Sequence, residues 1–349
     1  MSTMRDVAAL AGVSAKTVSR VMHNDRYVSD DVRRRVEAAI RELKYVPNTL
    51  ARTFRSGRDA AIGIAVPDIS DPFFATVTHT VEQIARGHGV AVFVTSLGND
   101  AAAERAGVEA LLGRQIAGLI STPIARDQSY LKPWQARTAV VFIDRTPSRI
   151  TADSVVEDDR GGAYTATTHL LEHGHRRIGF IGDAPSVTTT ALRLEGYRAA
   201  LADAGVEPGA EIIELGAVSA ADAGAAAIRL MRLAEPPTAL FSSNARCSIG
   251  VVPALQSIGR GGVALISFGD FPLAEALSPA LTVVDQDAVS VGQAAATRLF
   301  ERLENPDRRL KRKIVLPVTL VVRESCGTEL THRAVEPAGL ERRAPVPCG

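Results

Sequence analysis

Two groups of residues have the types and spacing to do chemistry. The first is Lys16 and Arg20, one helical turn apart, with the hydroxyls of Ser14, Thr17 and Ser19 among them. Cations at i and i+4 share a helix face. They suit guanine edges in a major groove, while hydroxyls suit phosphate oxygens. The second group is dispersed. Asp144 and Arg145 follow VVFI, Asn244 follows LFSS with Arg246 two residues on, and Gln286 follows LTVVD. Arg193 lies in a helical stretch, and Phe73 and Phe74 follow ISDP. Carboxylate, amide and guanidinium groups recognise vicinal hydroxyls through paired hydrogen bonds. An aromatic ring can stack on the apolar face of a sugar. Each residue also has a plain reading: a solvated helix face, a strand-end cap or, for Phe74, a core side chain.

The first group needs a rigid helical frame, and the sequence predicts one. Thr3 and Asp6 form a cap, after which Val7, Leu10 and Ala11 recur with helical spacing. Gly12 permits a sharp corner, Ser14 caps a second helix, and Val18, Val21 and Met22 form its apolar stripe. Ser29, Asp30 and Asp31 begin a third helix striped by Val32, Val36, Ala39, Ile40 and Leu43. Three stripes close one small core, a helix-turn-helix head whose second helix turns its polar face outward. Residues 1–58 hold twelve Lys/Arg against six Asp/Glu, leaving 28 against 33 in the rest of the 349-residue chain. A basic head on a mildly acidic body points to a polyanionic partner, double-stranded DNA.

The second group needs strand ends. From Asp59 onward, Val- and Ile-rich runs such as AAIGIAV, VAVFVT, TAVVFI, RIGFI and VALISF alternate with helical stretches at 74–87, 101–113, 160–173 and 188–204. That pattern predicts α/β structure with largely parallel sheets, divided into two similar lobes. Ligands of such sheets bind at the carboxyl ends of strands, in the crevice between lobes.

Other classes find little support. "HLLEHGHRRIGF" brings His169, His173 and His175 close together, but Gly174 reads as the end of a helix and no fourth ligand is apparent, so no metal is expected. "GFIGD" lacks the third glycine of a dinucleotide loop, and neither a phosphate-cradling loop nor a nucleophile elbow occurs, so no cofactor or catalysis is expected. Three dispersed cysteines, no basic-then-apolar leader and no membrane-length apolar run predict a cytoplasmic, nucleoid-associated protein with no membrane partner.

"DVAALAGVSAKTVSRVMHND" with "VSDDVRRRVEAAIRELKYVPNTLARTFRSG" resembles the LacI/GalR family of transcription regulators, and the likeness continues through "AIGIAVPDISDPFFA", "HRRIGFIG" and "LTVVDQD". The resemblance implies an N-terminal all-α helix-turn-helix head (1–46), a hinge helix (47–58) and an α/β two-lobed periplasmic-binding-protein-like body (59–325). The first lobe would take about 59–157 and 285–312, the second about 158–284 and 313–325, before a disordered tail at 326–349. It makes Ala15, Lys16 and Arg20 the base-facing positions, with Thr3, Asn48, Ala51 and Arg52 as further DNA contacts and Phe54 as a minor-groove wedge where leucine is commoner. It implies a pseudo-palindromic operator bound by a homodimer, with a tetramer possible. In the crevice a sugar or related metabolite would meet Phe73, Phe74, Asp144, Arg145, Arg193, Asn244, Arg246, Asp270 and Gln286. Relatives usually carry aspartates where this chain has Ala245 and Gly269. A crevice short of carboxylates beside Arg246 would favour a less hydroxylated or anionic effector. The rival reading is a solute-binding transport component with the same two-lobed body.

Overall fold

A computed structural model of the protein describes residues 4–22, 28–43, 61–207, 209–306 and 308–327. Its head consists of α1 (Met4–Ala11), α2 (Ala15–Met22) and α3 (Asp30–Glu42). Val7, Ala8, Ala11, Val18, Val21, Val36 and Ala39 are buried against one another. Leu10 is 47% exposed, so the inward face of α1 is 7, 8 and 11 rather than 7, 10 and 11. In a two-turn helix the small Ala8 lets α1 lie close to its neighbours. Gly12 turns the corner at φ +63°, and Ser14 Oγ accepts from the Thr17 N–H at 3.1 Å, capping α2. Ser29 precedes α3 in extended conformation but makes no side-chain cap bond, so Asp30 and Asp31 favour that end by charge alone. Thr3, Asn48, Ala51, Arg52 and Phe54 lie outside the described residues, as does the whole 47–58 segment.

The body contains two six-stranded sheets. The first is built from β1 (Ala61–Val66), β2 (Ala91–Ser96), β3 (Gly118–Ser121), β4 (Ala139–Ile143), β5 (Asp153–Glu157) and β11 (Lys313–Leu316), in the order β2-β1-β3-β4-β5-β11. The second uses β6 (Ile178–Gly182), β7 (Ile213–Leu215), β8 (Ala239–Ser242), β9 (Ala264–Phe268), β10 (Thr282–Asp285) and β12 (Thr319–Val321), in the order β7-β6-β8-β9-β10-β12. All pairings are parallel except β10 with β12. Helices α4 (Pro72–Gly87), α5 (Ala101–Leu112) and α10 (Ala288–Glu304) cover the first sheet. Helices α6 (Asp159–Glu172), α7 (Thr188–Asp203), α8 (Ala220–Met231) and α9 (Ala245–Ser257) cover the second.

Burial on both faces explains the continuous apolar strands. In β1, Ile62, Ile64 and Val66 pack with Val77, Val81 and Leu299 on one side, while Ala61 and Ala65 meet Leu112 and Leu119 on the other. The second lobe repeats this, with Phe180, Tyr197, Phe241 and Phe268 on one face and Ile181, Leu240 and Leu265 on the other.

The chain crosses between lobes three times, after Glu157, after Asp285 and after Leu316. The last crossing corrects the expected boundary at 312. Residues 313–316 pair with β5 in the first sheet, Lys313 opposite Ser154 and Val315 opposite Val156, because Ile314 and Leu316 extend the first lobe's apolar face. Only β12 rejoins the second lobe. The expected start of the tail at 326 is also too early. Ser325 Oγ donates to Leu265 O at 2.6 Å, and the buried Cys326 completes the second lobe's core. A small, apolar thiol fits there where a polar residue would not.

Candidate functional site

On α2, burial of Val18 and Val21 leaves Ala15, Lys16 and Arg20 exposed on the opposite side. Ser14 is exposed and Thr17 half-buried, their hydroxyls 2.9 Å apart. Ser14, expected to meet phosphate, therefore also holds the start of α2. Ser19 lies on the same helix.

The crevice between the lobes encloses about 530 Å³. Phe73, Phe74, Asp144 and Arg145 line it from the first lobe, Arg193, Asn244 and Arg246 from the second, and Gln286 from a crossing. The second-lobe wall is a connected network. Asn244 caps α9, its Oδ1 accepting from the Cys247 N–H at 2.8 Å, while its Nδ2 donates to Asp183 at 2.9 Å. Arg246 donates to the other Asp183 oxygen and to Val218 O. Arg193, nearly fully buried, donates to Asp159 at 2.7 Å and Ser243 O at 2.6 Å, with its guanidinium 3.8 Å from the centre of the Phe268 ring. Burial pushes the Asp159 carboxyl up to about 6, with Arg193 opposing the rise.

The first-lobe wall is less satisfied. Asp71 caps α4, accepting from the Phe73 N–H at 3.0 Å, and makes no ion pair among the described residues. Burial raises its pKa. Phe73 meets Phe74 edge-on with centroids 5.1 Å apart. Phe74 sinks into the core as a packing side chain, and Phe73 is the more accessible ring. Asp144, at φ +66°, lies 3.1 Å from Arg145 Nε, yet that N–H points off the hydrogen-bond direction and has no partner. At the floor, Gln286 Nε2 donates to Glu157 Oε1 at 3.1 Å, joining two crossings. Glu157 Oε2 is buried without a partner, and burial, reinforced by Asp144, raises that carboxyl's pKa well above the usual range.

Asp270 lines not this cavity but an adjoining one of about 670 Å³, which also lies between the lobes and shares Phe73 and Gln286 with it; there both Asp270 oxygens accept from Arg323, at 3.2 and 2.6 Å. Gly269 before it sits at φ +88°, and a side chain there would come within 3.0 Å of Gln286 Oε1. The premise of a carboxylate-poor crevice also fails. Asp68, Asp71, Asp144 and Asp183 all line it, against Arg145, Arg193 and Arg246. The sequence reading missed Asp71 and Asp183. Asp183 directly follows β6 as Asp144 follows β4, so its strand-end position is the sequence signal for it, masked by the loop-like GFIGD pattern. Asp71 precedes a proline that opens a helix, an ordinary cap signature.

Two of the three histidines each make one local ring hydrogen bond, while His169 Nε2 and His175 Nε2 are buried without hydrogen-bond partners. His173 Nδ1 lies 2.8 Å from His169 O, His175 Nδ1 lies 3.0 Å from Thr238 Oγ1, and Gly174 closes α6 at φ +87°. Among the described residues, no helix is long and apolar enough to cross a membrane.

Residues 3–48 match the model of bacterial regulatory proteins of the lacI family, and residues 167–326 match a periplasmic binding protein-like domain. The chain is 30% identical to the ribose operon repressor of Haemophilus influenzae, over 93% of this chain and 98% of that protein. A lac repressor dimer bound to operator and the anti-inducer ONPF superposes with TM-score 0.82 at 27% identity, covering 93% of this chain and 99% of that one. A complex of the transcriptional regulator CelR with cellobiose gives TM-score 0.67 at 27% identity, covering 93% and 100%. With both head and body matched along one continuous chain, the protein belongs to the lacI family of bacterial transcriptional regulators.

Proposed function

We propose that this protein represses transcription by binding a pseudo-palindromic operator as a dimer, and that a neutral, hydroxylated effector in the crevice controls that binding. One observation carries the reading: the same chain bears an exposed basic face on α2 and a crevice shared by two separately packed lobes. A solute carrier needs only the second. Lys16 and Arg20 supply guanine-reading donors, and two copies supply the affinity that one head lacks. Protein of this kind works in the cytoplasm, by binding rather than catalysis.

The effector class follows from the crevice. Its guanidinium groups alternate with carboxylates, and Asn244 and Gln286 add amides. Such a wall offers donors and acceptors side by side, which suits a polyol such as a sugar. With four aspartates against three arginines, an anion would meet repulsion that a neutral ligand avoids. The effector bridges both walls and so favours one placement of the lobes about the three crossings. The 47–58 segment, expected from the sequence to form a short hinge helix bearing Phe54, would transmit that placement to the heads.

The test is a mobility-shift titration with duplex from the protein's own promoter region against scrambled duplex, alongside a thermal-shift screen of pentoses, hexoses and disaccharides. The proposal expects binding of promoter duplex at least about a thousandfold tighter than scrambled, and a thermal shift with at least one sugar. Equal affinity for both duplexes, or thermal shifts only with anionic ligands, contradicts it.

A further inference from the structure

The two edges of the first lobe's sheet carry opposite charge. At the carboxyl ends of the strands lie Asp68, Asp71, Asp144 and Glu157, the crevice edge. Because β1, β3, β4, β5 and β11 are mutually parallel, their amino ends share the other edge. There Arg114 precedes β3, Arg137 precedes β4, and Arg308, Arg309, Lys311 and Arg312 lead into β11, which opens with Lys313; all are exposed. Arg114 lies over Phe93 and Arg137 over Trp134, so these two cations are held against the lobe. This is also the edge at which the chain enters the body, since β1 begins at Ala61, directly after the segment joined to the head.

The 308–313 loop is built rather than draped. Asp153, buried, accepts from Arg298 at 3.3 Å and from Arg302 at 2.6 and 3.1 Å. Those same guanidinium groups reach onward to the loop's backbone: Arg298 donates to Lys311 O at 2.7 Å, and Arg302 to Arg308 O at 2.6 Å. The Ser154 N–H donates to Arg312 O at 2.8 Å. A buried arginine, Arg298, a half-buried one, Arg302, and one buried carboxylate thus fix the loop's course. Only part of the outer side chains joins that network. Arg308 pairs with Glu301 and Arg312 lies 3.9 Å from Asp153, but Arg309, Lys311 and Lys313 make no ion pair among the described residues. Three exposed cations on a pinned backbone create a fixed local positive field that complements a polyanion.

We propose that Arg309, Lys311 and Lys313 form a second DNA-contacting surface, on the body, that holds duplex phosphates flanking the site read by α2. It rests on the DNA-binding reading of the head. In the sheet order, β11 stands four strands from β1. That is roughly 19 Å at ordinary strand spacing, about the width of a duplex. The contacts read no bases. They add affinity that depends on duplex length and salt.

The test compares the full-length protein with the triple variant R309Q/K311Q/K313Q by fluorescence anisotropy. One duplex covers only the site read by the heads, and a second extends it by one to two helical turns on each side, roughly 10–20 base pairs. On the extended duplex, the variant should bind at least about tenfold more weakly at 0.1 M salt. The slope of log Kd against log salt should fall by up to about 5, since two copies lose three charges each at about 0.9 per phosphate contact. On the short duplex the two proteins should agree. A variant that matches its parent on both duplexes overturns the proposal. So does a loss that is equal on both and accompanied by altered sedimentation, which would assign the loop to self-association. A parent that binds neither duplex removes the DNA-reading function itself, a different failure.

Discussion

The two walls of the crevice are furnished with the same residue types and used differently. On the second lobe the charged groups of the wall are already paired, Arg193 with Asp159 and Arg246 with Asp183, and the Asn244 amide bonds both Asp183 and the start of α9. On the first lobe and the crossing, Asp71 makes no ion pair among the described residues, Arg145 pairs with Asp144 but its Nε–H donates no hydrogen bond, and Glu157 Oε2 is buried without a hydrogen-bond partner. The contrast separates a wall that is ordered in advance from one whose polar groups still have bonding capacity. A ligand docked on the ordered wall loses little in fixing it, and it satisfies the other wall only when the lobes approach. Differential contact of that kind is what any ligand needs to shift a two-state equilibrium.

The largest effect should come from the ordered wall. Arg193→Ala strands Asp159 in the interior and opens a gap over Phe268, and should cost on the order of 3–5 kcal/mol of stability in denaturant titrations. A cost below about 1 kcal/mol would mean that this wall is not preorganised. Asp183→Asn is milder for the fold because the pair is partly exposed. It frees Arg246 and removes an acceptor, so calorimetry should show sugar affinity falling about a hundredfold, or ~2.7 kcal/mol.

Asp71→Asn sharpens the comparison from the other side. Asparagine still caps α4, so Tm should hold within about 2 °C, while sugar affinity drops about tenfold. Equal losses for Asp71→Asn and Asp183→Asn in both Tm and affinity would erase the distinction between the walls.

The smallest effect is a pH dependence. The Asp159 carboxyl is raised to about 6 in the folded protein, against an ordinary value of 3.8, so the folded state binds the extra proton. Its contribution is fully present below the lower value and lost as pH rises through the higher one. Going from pH 7 to pH 5 should therefore stabilise the body by about 1 kcal/mol from this group. The increment should vanish in Asp159→Asn.

The sequence made the frame of this molecule legible for physical reasons. The head has a corner glycine, caps and three apolar stripes, and each signal is local. The body's strands are buried on both faces, so they stand out as unbroken Val/Ile runs, and residues after them, such as Asp144 and Asn244, fall at the crevice by geometry. What stayed hidden depends on partners distant in sequence. Asp270 looks the same whether it faces a ligand or Arg323, 53 positions later. Glu157 became a floor residue only when Gln286, 129 positions away, was brought against it. The strand at 313–316 is a short apolar run that continues past Pro317 into β12, so its membership in the first rather than the second sheet shows only in its pairing to β5. Leu10 misled because helical spacing alone does not distinguish an inward 7-8-11 face from 7-10-11.

The most direct test of ligand-controlled DNA binding is a reciprocal titration on the full-length protein, with ribose and cellobiose as first probes within a wider sugar panel. Operator affinity is measured with and without each saturating sugar, and sugar affinity with and without operator. The account predicts that at least one sugar shifts operator Kd by about 5- to 150-fold, and that operator shifts the Kd of that sugar by the same factor. A sugar that occupies the crevice, is weakened by Asp183→Asn, and leaves operator affinity unchanged would contradict it.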